Sequence, residues 1–191
     1  MAKQVDSETE LAPPSATQRR SRPPRMVIRF TKRRDGNTVL RCDRADGTST
    51  WQRQDGALAS HFPYHDMTHY AVETEMGFRS GFFGLIASGW EIGETTGKTP
   101  RGPIPEEARA VETVVGLFDV QRSLGVEWTA DQVNAHARTY VSARGGKGPE
   151  IRRLEDDEIV RVRARVGELV QRWNDLAPGE TLELPFDPGT E

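Results

Sequence analysis

After residue 25, apolar and polar positions alternate in three short runs: Val27-Ile28-Arg29-Phe30-Thr31, Val39-Leu40-Arg41-Cys42-Asp43 and Thr48-Ser49-Thr50-Trp51-Gln52. β-Branched and aromatic residues dominate them, as in strands with one covered face. Asp35-Gly36 and Asp46-Gly47 fall between the runs, and Asp-Gly supplies the left-handed backbone of a hairpin turn. The pattern predicts a three-stranded antiparallel meander. Its apolar face must be covered, and helical periods follow.

The first helix is predicted over about Pro63 to Met76, with proline at its first position and Gly77 as its stop. Gly81 to Gly89 is a short apolar run whose periodicity does not distinguish helix from strand. Residues 91–104 read as a loop. A second long helix opens at Pro105-Glu106-Glu107, with Ala108, Val111, Val114, Val115 and Phe118 at helical spacing. A third opens at the capping-box pattern Thr129-Ala130-Asp131-Gln132 and stops at Gly145-Gly146. The last, Glu155 to Asn174, carries Ile159, Val162, Val166, Leu169 and Trp173 on one face. Thr181-Leu182-Glu183-Leu184 alternates and is a candidate strand returning to the sheet. The fold class is therefore α+β: an N-terminal three-stranded antiparallel meander packed against four to five helices.

Residues 1–25 show no hydrophobic period and are rich in Ser, Thr, Pro, Gln and Arg, which predicts a disordered tail. Residues 26–191 are expected to form a single globular domain. A hydrophobic fraction of 35% fits a globular core diluted by such a tail. The one cysteine, Cys42, excludes an intramolecular disulfide and a thiolate metal cluster. No apolar leader opens the chain, and no stretch approaches the ~18 apolar residues of a bilayer span. A cytoplasmic protein without a membrane partner is the expectation. The tail carries +2 in a chain of net −3, which leaves −5 on the remainder and argues against a broad nucleic-acid surface.

Chemistry concentrates in the first helix. Three of the four histidines, His61, His65 and His69, lie within nine residues. At 100° per residue, Met67, Tyr70, Ala71, Thr74 and Phe78 share one face. His65, His69, Val72 and Met76 form a stripe roughly opposite, edged by Asp66 and Glu73. Apolar residues on two sides predict a helix covered on both, with the histidines in a partly buried seam. Imidazoles one turn apart converge on one point, the spacing of helical metal sites. Glu73, a further turn along, and His61, just before the helix, are the other candidate ligands. Such N/O donors suit Zn²⁺ or Fe²⁺.

The run His65-Asp66-Met67-Thr68-His69 resembles the His-Glu-x-x-His helix of zinc metallopeptidases, with Asp66 where that family has glutamate. The likeness spans five residues. It implies a zinc-bound histidine pair, with Asp66, one methylene shorter, standing at the general base. A second role open to Asp66 is to orient a metal-bound imidazole. The pair His65-Asp66 also resembles the His-Asp signature of metal-dependent phosphohydrolases, a helical family that needs further His and Asp ligands; only His136 and scattered aspartates remain for them.

Two other segments carry weaker signals. Gly93-Glu94-Thr95-Thr96-Gly97-Lys98-Thr99 has three residues between its glycines where a phosphate loop has four, and Pro100 forbids an immediate helix. The stretch from Arg19 to Arg34 holds eight basic residues and no acid. It supports an alternative reading: a non-enzymatic binding or regulatory module whose basic N-terminal segment contacts nucleic acid or a protein partner. The leading expectation is a metal-binding protein or metal-dependent hydrolase acting on an unidentified small molecule or protein.

Overall fold

A computed structural model describes residues 25–56, 59–97, 101–143, 145 and 148–188. The predicted tail lies outside the described residues except for Arg25. Strands β1 (Met26–Lys32), β2 (Thr38–Arg44) and β3 (Ser49–Gln54) form the meander, and β4 (Thr181–Phe186) returns to pair antiparallel with β1. Among the described residues the sheet therefore has four strands, in the order β3-β2-β1-β4. The hairpin loops are five and four residues long, longer than the two-residue turns that Asp-Gly favours. Gly36 and Gly47 still take φ of 81° and 87° within them, a conformation that side chains oppose.

Among the described residues there are five helices: α1 (Phe62–Glu75), α2 (Phe82–Ala87), α3 (Glu106–Leu124), α4 (Ala130–Ala143) and α5 (Asp156–Asp175). Of these, α1, α2 and α5 cover one face of the sheet, and α3 and α4 lie beyond α1. The α+β class is thus the one observed. The apolar run after Gly81 is a short helix, and the expected loop after it begins with a 3-10 turn, Ile92–Thr96. Thr129 and Gln132 exchange the capping-box bonds that their spacing predicts, at 2.9 and 3.3 Å.

Two apolar clusters meet at α1. The first joins Ile28, Phe30 and Leu40 of the sheet to Met67 and Tyr70 of α1, with Phe83, Leu169 and Phe186. The second joins Ala71 and Val72 of α1 to Val111 and Val115 of α3, Val133 of α4 and Val162 of α5. Each large side chain withdrawn from water in this way contributes roughly 1.5–3 kcal/mol. Because α1 is covered on both sides, every residue from Asp66 to Glu73 is buried. Polar groups there need partners inside the protein.

The folded part of the basic run is largely spoken for. Arg29 pairs with Asp43 and Glu183, and Arg33 with Asp35. Lys32 donates to the carbonyls of Trp173 and Leu176 at 2.7 and 2.9 Å, closing the C-terminus of α5. Among the described residues, no helix is long and apolar enough to cross a membrane.

Candidate metal centre

Two imidazoles from α1 and two carboxylates from α3 form the core of the site. Nδ1 of His65 lies 2.6 Å from Oδ2 of Asp119. Nδ1 of His69 lies 3.3 Å from Oε1 of Glu73, an ion-pair contact that lacks the alignment of a full hydrogen bond. The opposite nitrogens turn to a third acid: Nε2 of His65 is 3.7 Å from Oε1 of Glu112, and Nε2 of His69 is 3.1 Å from its Oε2. Each ring thus has its own carboxylate behind it and shares Glu112 in front. The ring centroids are 4.8 Å apart and nearly perpendicular.

The supporting carboxylates are themselves fixed. Glu73 has a fully buried side chain and accepts the backbone N–H groups of Phe83 and Gly84 at 3.1 and 2.9 Å. It therefore caps the start of α2. Gly81 permits that approach, since a Cβ there would stand 2.7 Å from Oε2 of Glu73. Asp119 also lies 3.4 Å from Oγ1 of Thr68 and from Nη2 of Arg122.

Burial opposes charge on His69, yet Glu112 and Glu73 outweigh it and push its pKa up to about 10. The hydrogen bond to His69 holds Glu112 below the usual glutamate range. Asp119 is also held low: burial works against its charge, but the bond to His65 and the nearby Arg122 and His61 prevail.

The five residues singled out by spacing are not brought to one point. His65 and His69 converge, with Glu112, on donor atoms all within 4.8 Å of one another. Glu73 lies behind His69, and its carboxylate is committed to α2. His61 precedes α1 and joins a different group with His65 and Asp119, its Nε2 3.9 Å from Oδ2 of Asp119. Asp66 accepts a hydrogen bond from Nε2 of Gln54 rather than from either imidazole. Burial pushes its pKa up to about 6, against the opposing pull of Gln54, His69 and His65.

Sequence reasoning missed Glu112, Asp119 and Gln54. One signal for Asp119 was present: it follows Phe118 directly and stands one turn after Val115, an acid on the covered side of α3. It is 8% exposed.

His65, Asp66, His69 and Glu112 all line a cavity of about 510 Å³, a size that suits a small ligand. Phe82, Leu85, Ile92 and Ile104 supply apolar wall, and Thr95 and Thr96 bring the glycine-rich segment to its edge. Lys98 and Thr99 of that segment lie outside the described residues. In comparisons with known proteins, no family model, no curated protein and no solved structure matches this chain.

Proposed function

We propose that this chain is a divalent-metal-binding protein serving a metal-dependent hydrolase site, with His65, His69 and Glu112 as ligands. The reading is carried by the common orientation of the two imidazoles: Nδ1 toward a carboxylate, Nε2 toward Glu112. Carboxylates behind metal-bound histidines fix the ring and raise its basicity, which is the role this reading gives to Asp119 and Glu73. Glu73 and His61 are then not ligands of the central ion, a revision of the set suggested by spacing.

The donors suit the ion. Two imidazoles and a carboxylate bind Zn²⁺ or Fe²⁺, and three protein ligands leave a coordination position open for water. Ligands about 2.1 Å from a tetrahedral ion stand roughly 3.4 Å apart, so separations of 3.1 and 3.7 Å require only small side-chain adjustments. The Glu112 side chain is 62% exposed and free to make them. Asp66 shares the cavity wall with these ligands, and Gln54 holds it. The reading assigns it the proton of a metal-activated water.

Elemental mass spectrometry of the purified, untagged chain tests the proposal beside His65→Ala/His69→Ala and Glu112→Ala. Near-stoichiometric zinc or iron in the wild type, lost in the double variant and strongly reduced in E112A, is the expected result. A wild type without metal, whose melting temperature zinc or ferrous iron does not raise, overturns it. So does metal content that survives the double substitution.

A further inference from the structure

The cavity holds two groups that metal binding leaves unused. Gln54 ends β3 and is 3% exposed. Its Nε2 donates to Asp66, and its Oε1 has no hydrogen-bond partner among the described residues. An ionised carboxylate only accepts, so Asp66 fixes the amide with its NH₂ inward and leaves a buried acceptor unsatisfied in a cavity-lining residue. Such an acceptor calls for an N–H or O–H from a ligand.

The second group is Arg109. It lines the cavity three residues before Glu112, about 4.5 Å along the axis of α3. The acids around it on α3 are engaged elsewhere. Glu106 accepts from the Glu150 N–H at 3.2 Å, Glu107 from the Arg79 and Ser80 N–H groups, and Glu112 faces the histidines. Among the described residues, Arg109 has no ion pair of its own. A guanidinium fork at a cavity rim matches a planar carboxylate. One unpaired cation, with Glu112 one turn along α3, suits a single negative charge better than a phosphate dianion.

We infer that the cavity takes a small carboxylic acid bearing a secondary amide and an apolar arm, the chemistry of an N-acyl amino acid. The carboxylate sits on Arg109, the amide N–H on Oε1 of Gln54, and the arm against Phe82, Leu85 and Ile92. The inference rests on the metal reading only in bringing the amide carbonyl to the metal. Hydrolysis there breaks the C–N bond, whose electron pair leaves with nitrogen: the water oxygen stays on the carbonyl carbon, both water protons end on the departing nitrogen, and a carboxylate and an ammonium result.

Titration calorimetry tests this on the full chain, zinc-loaded and metal-free, with metal content measured on the same samples. The probes are N-acetyl-L-phenylalanine, its methyl ester, its N-methyl derivative and phenyl phosphate. The acid is expected to bind, and the ester and the N-methyl derivative to bind about tenfold to a hundredfold more weakly. Arg109→Gln, an exposed substitution, should weaken the acid by a similar factor and leave the ester unchanged. Equal affinity for acid and ester, or an acid indifferent to R109Q, overturns the inference. Tighter binding of phenyl phosphate through Arg109 overturns the carboxylate assignment. Stoichiometric zinc with no acid binding sinks this inference and leaves the metal site standing; acid binding through Arg109 in a chain that takes no metal does the reverse.

Discussion

His69 and Glu73 face each other one turn apart on α1, with Nδ1 3.3 Å from Oε1, and the same carboxylate closes the N-terminus of α2. One buried acid therefore serves two elements. It sets the direction of an imidazole, and it satisfies backbone groups that have no other partner in the first turn of a short helix. The two duties respond differently to substitution.

Glu73→Gln keeps an oxygen for one of the two α2 backbone N–H groups and removes the charge behind His69. Metal affinity is expected to fall about tenfold to a hundredfold, the usual cost of losing such an outer partner, while the fold survives. Competition against a chromophoric chelator measures it. Glu73→Ala also leaves the Phe83 and Gly84 N–H groups unpaired and His69 a buried cation with less support. Breaking a buried pair of this kind costs about 3–5 kcal/mol, readable by urea denaturation of the metal-free chain. Equal stability of E73Q and E73A would refute the double role.

Gly81→Ala probes the same contact from the other side. The added Cβ enters the space of the Glu73 carboxylate, which must then move away from α2 and from His69. A loss of about 1–3 kcal/mol in stability is expected, together with weaker metal binding, although residue 81 touches no ligand. Weakened stability with unchanged metal affinity would place the function of Glu73 in the fold alone.

Asn134 supplies the contrast. Its amide is buried, donates to the carbonyls of Ala130 and Leu154 at 2.7 and 2.8 Å, and accepts the Leu154 N–H at 2.9 Å. It ties α4 to the segment before α5, away from the histidines. Asn134→Ala leaves buried backbone groups unpaired and is expected to cost about 1–3 kcal/mol or somewhat more. Metal stoichiometry at 25 °C should be unchanged. A parallel loss of metal would mean that any destabilisation empties the site, and would weaken the conclusions drawn from G81A.

These contrasts bear on what one chain of letters discloses. The strands were legible because Ile28, Phe30, Leu40 and Cys42 alternate with polar neighbours, and that period decides which face is covered. The covering of α1 on both sides followed from Tyr70 and Val72 pointing opposite ways. The convergence of His65 and His69 was legible for a similar reason: four residues are one turn, whatever surrounds them. The choice between Glu73 and Glu112 was not. Glu73 has the right spacing, but its carboxylate is claimed by α2, and the run from Gly81 to Gly89 does not disclose by period that it is a helix. Glu112 reaches the histidines only because α3 packs across α1. Spacing within one helix finds neighbours, and other elements decide which of them remain available to an ion.

The proton on His69 gives the site a pH signature. With its pKa near 10, the metal-free imidazole is cationic at neutral pH and holds a proton between Nε2 and Glu112. A raised histidine pKa contributes stability that is fully present below the unfolded value of 6.5 and is lost as pH climbs toward 10. The metal-free wild type should therefore lose stability between pH 7 and 10 more steeply than His69→Gln. Metal takes the place of that proton, so binding at pH 7.5 should release about one proton from His69. Calorimetry in two buffers of different ionisation enthalpy counts it. Affinity should rise with pH over the same range, because less work is needed to remove the proton. Binding enthalpies that do not depend on the buffer would mean that His69 is already neutral, or that the ion binds elsewhere; metal content in H69Q separates these two cases.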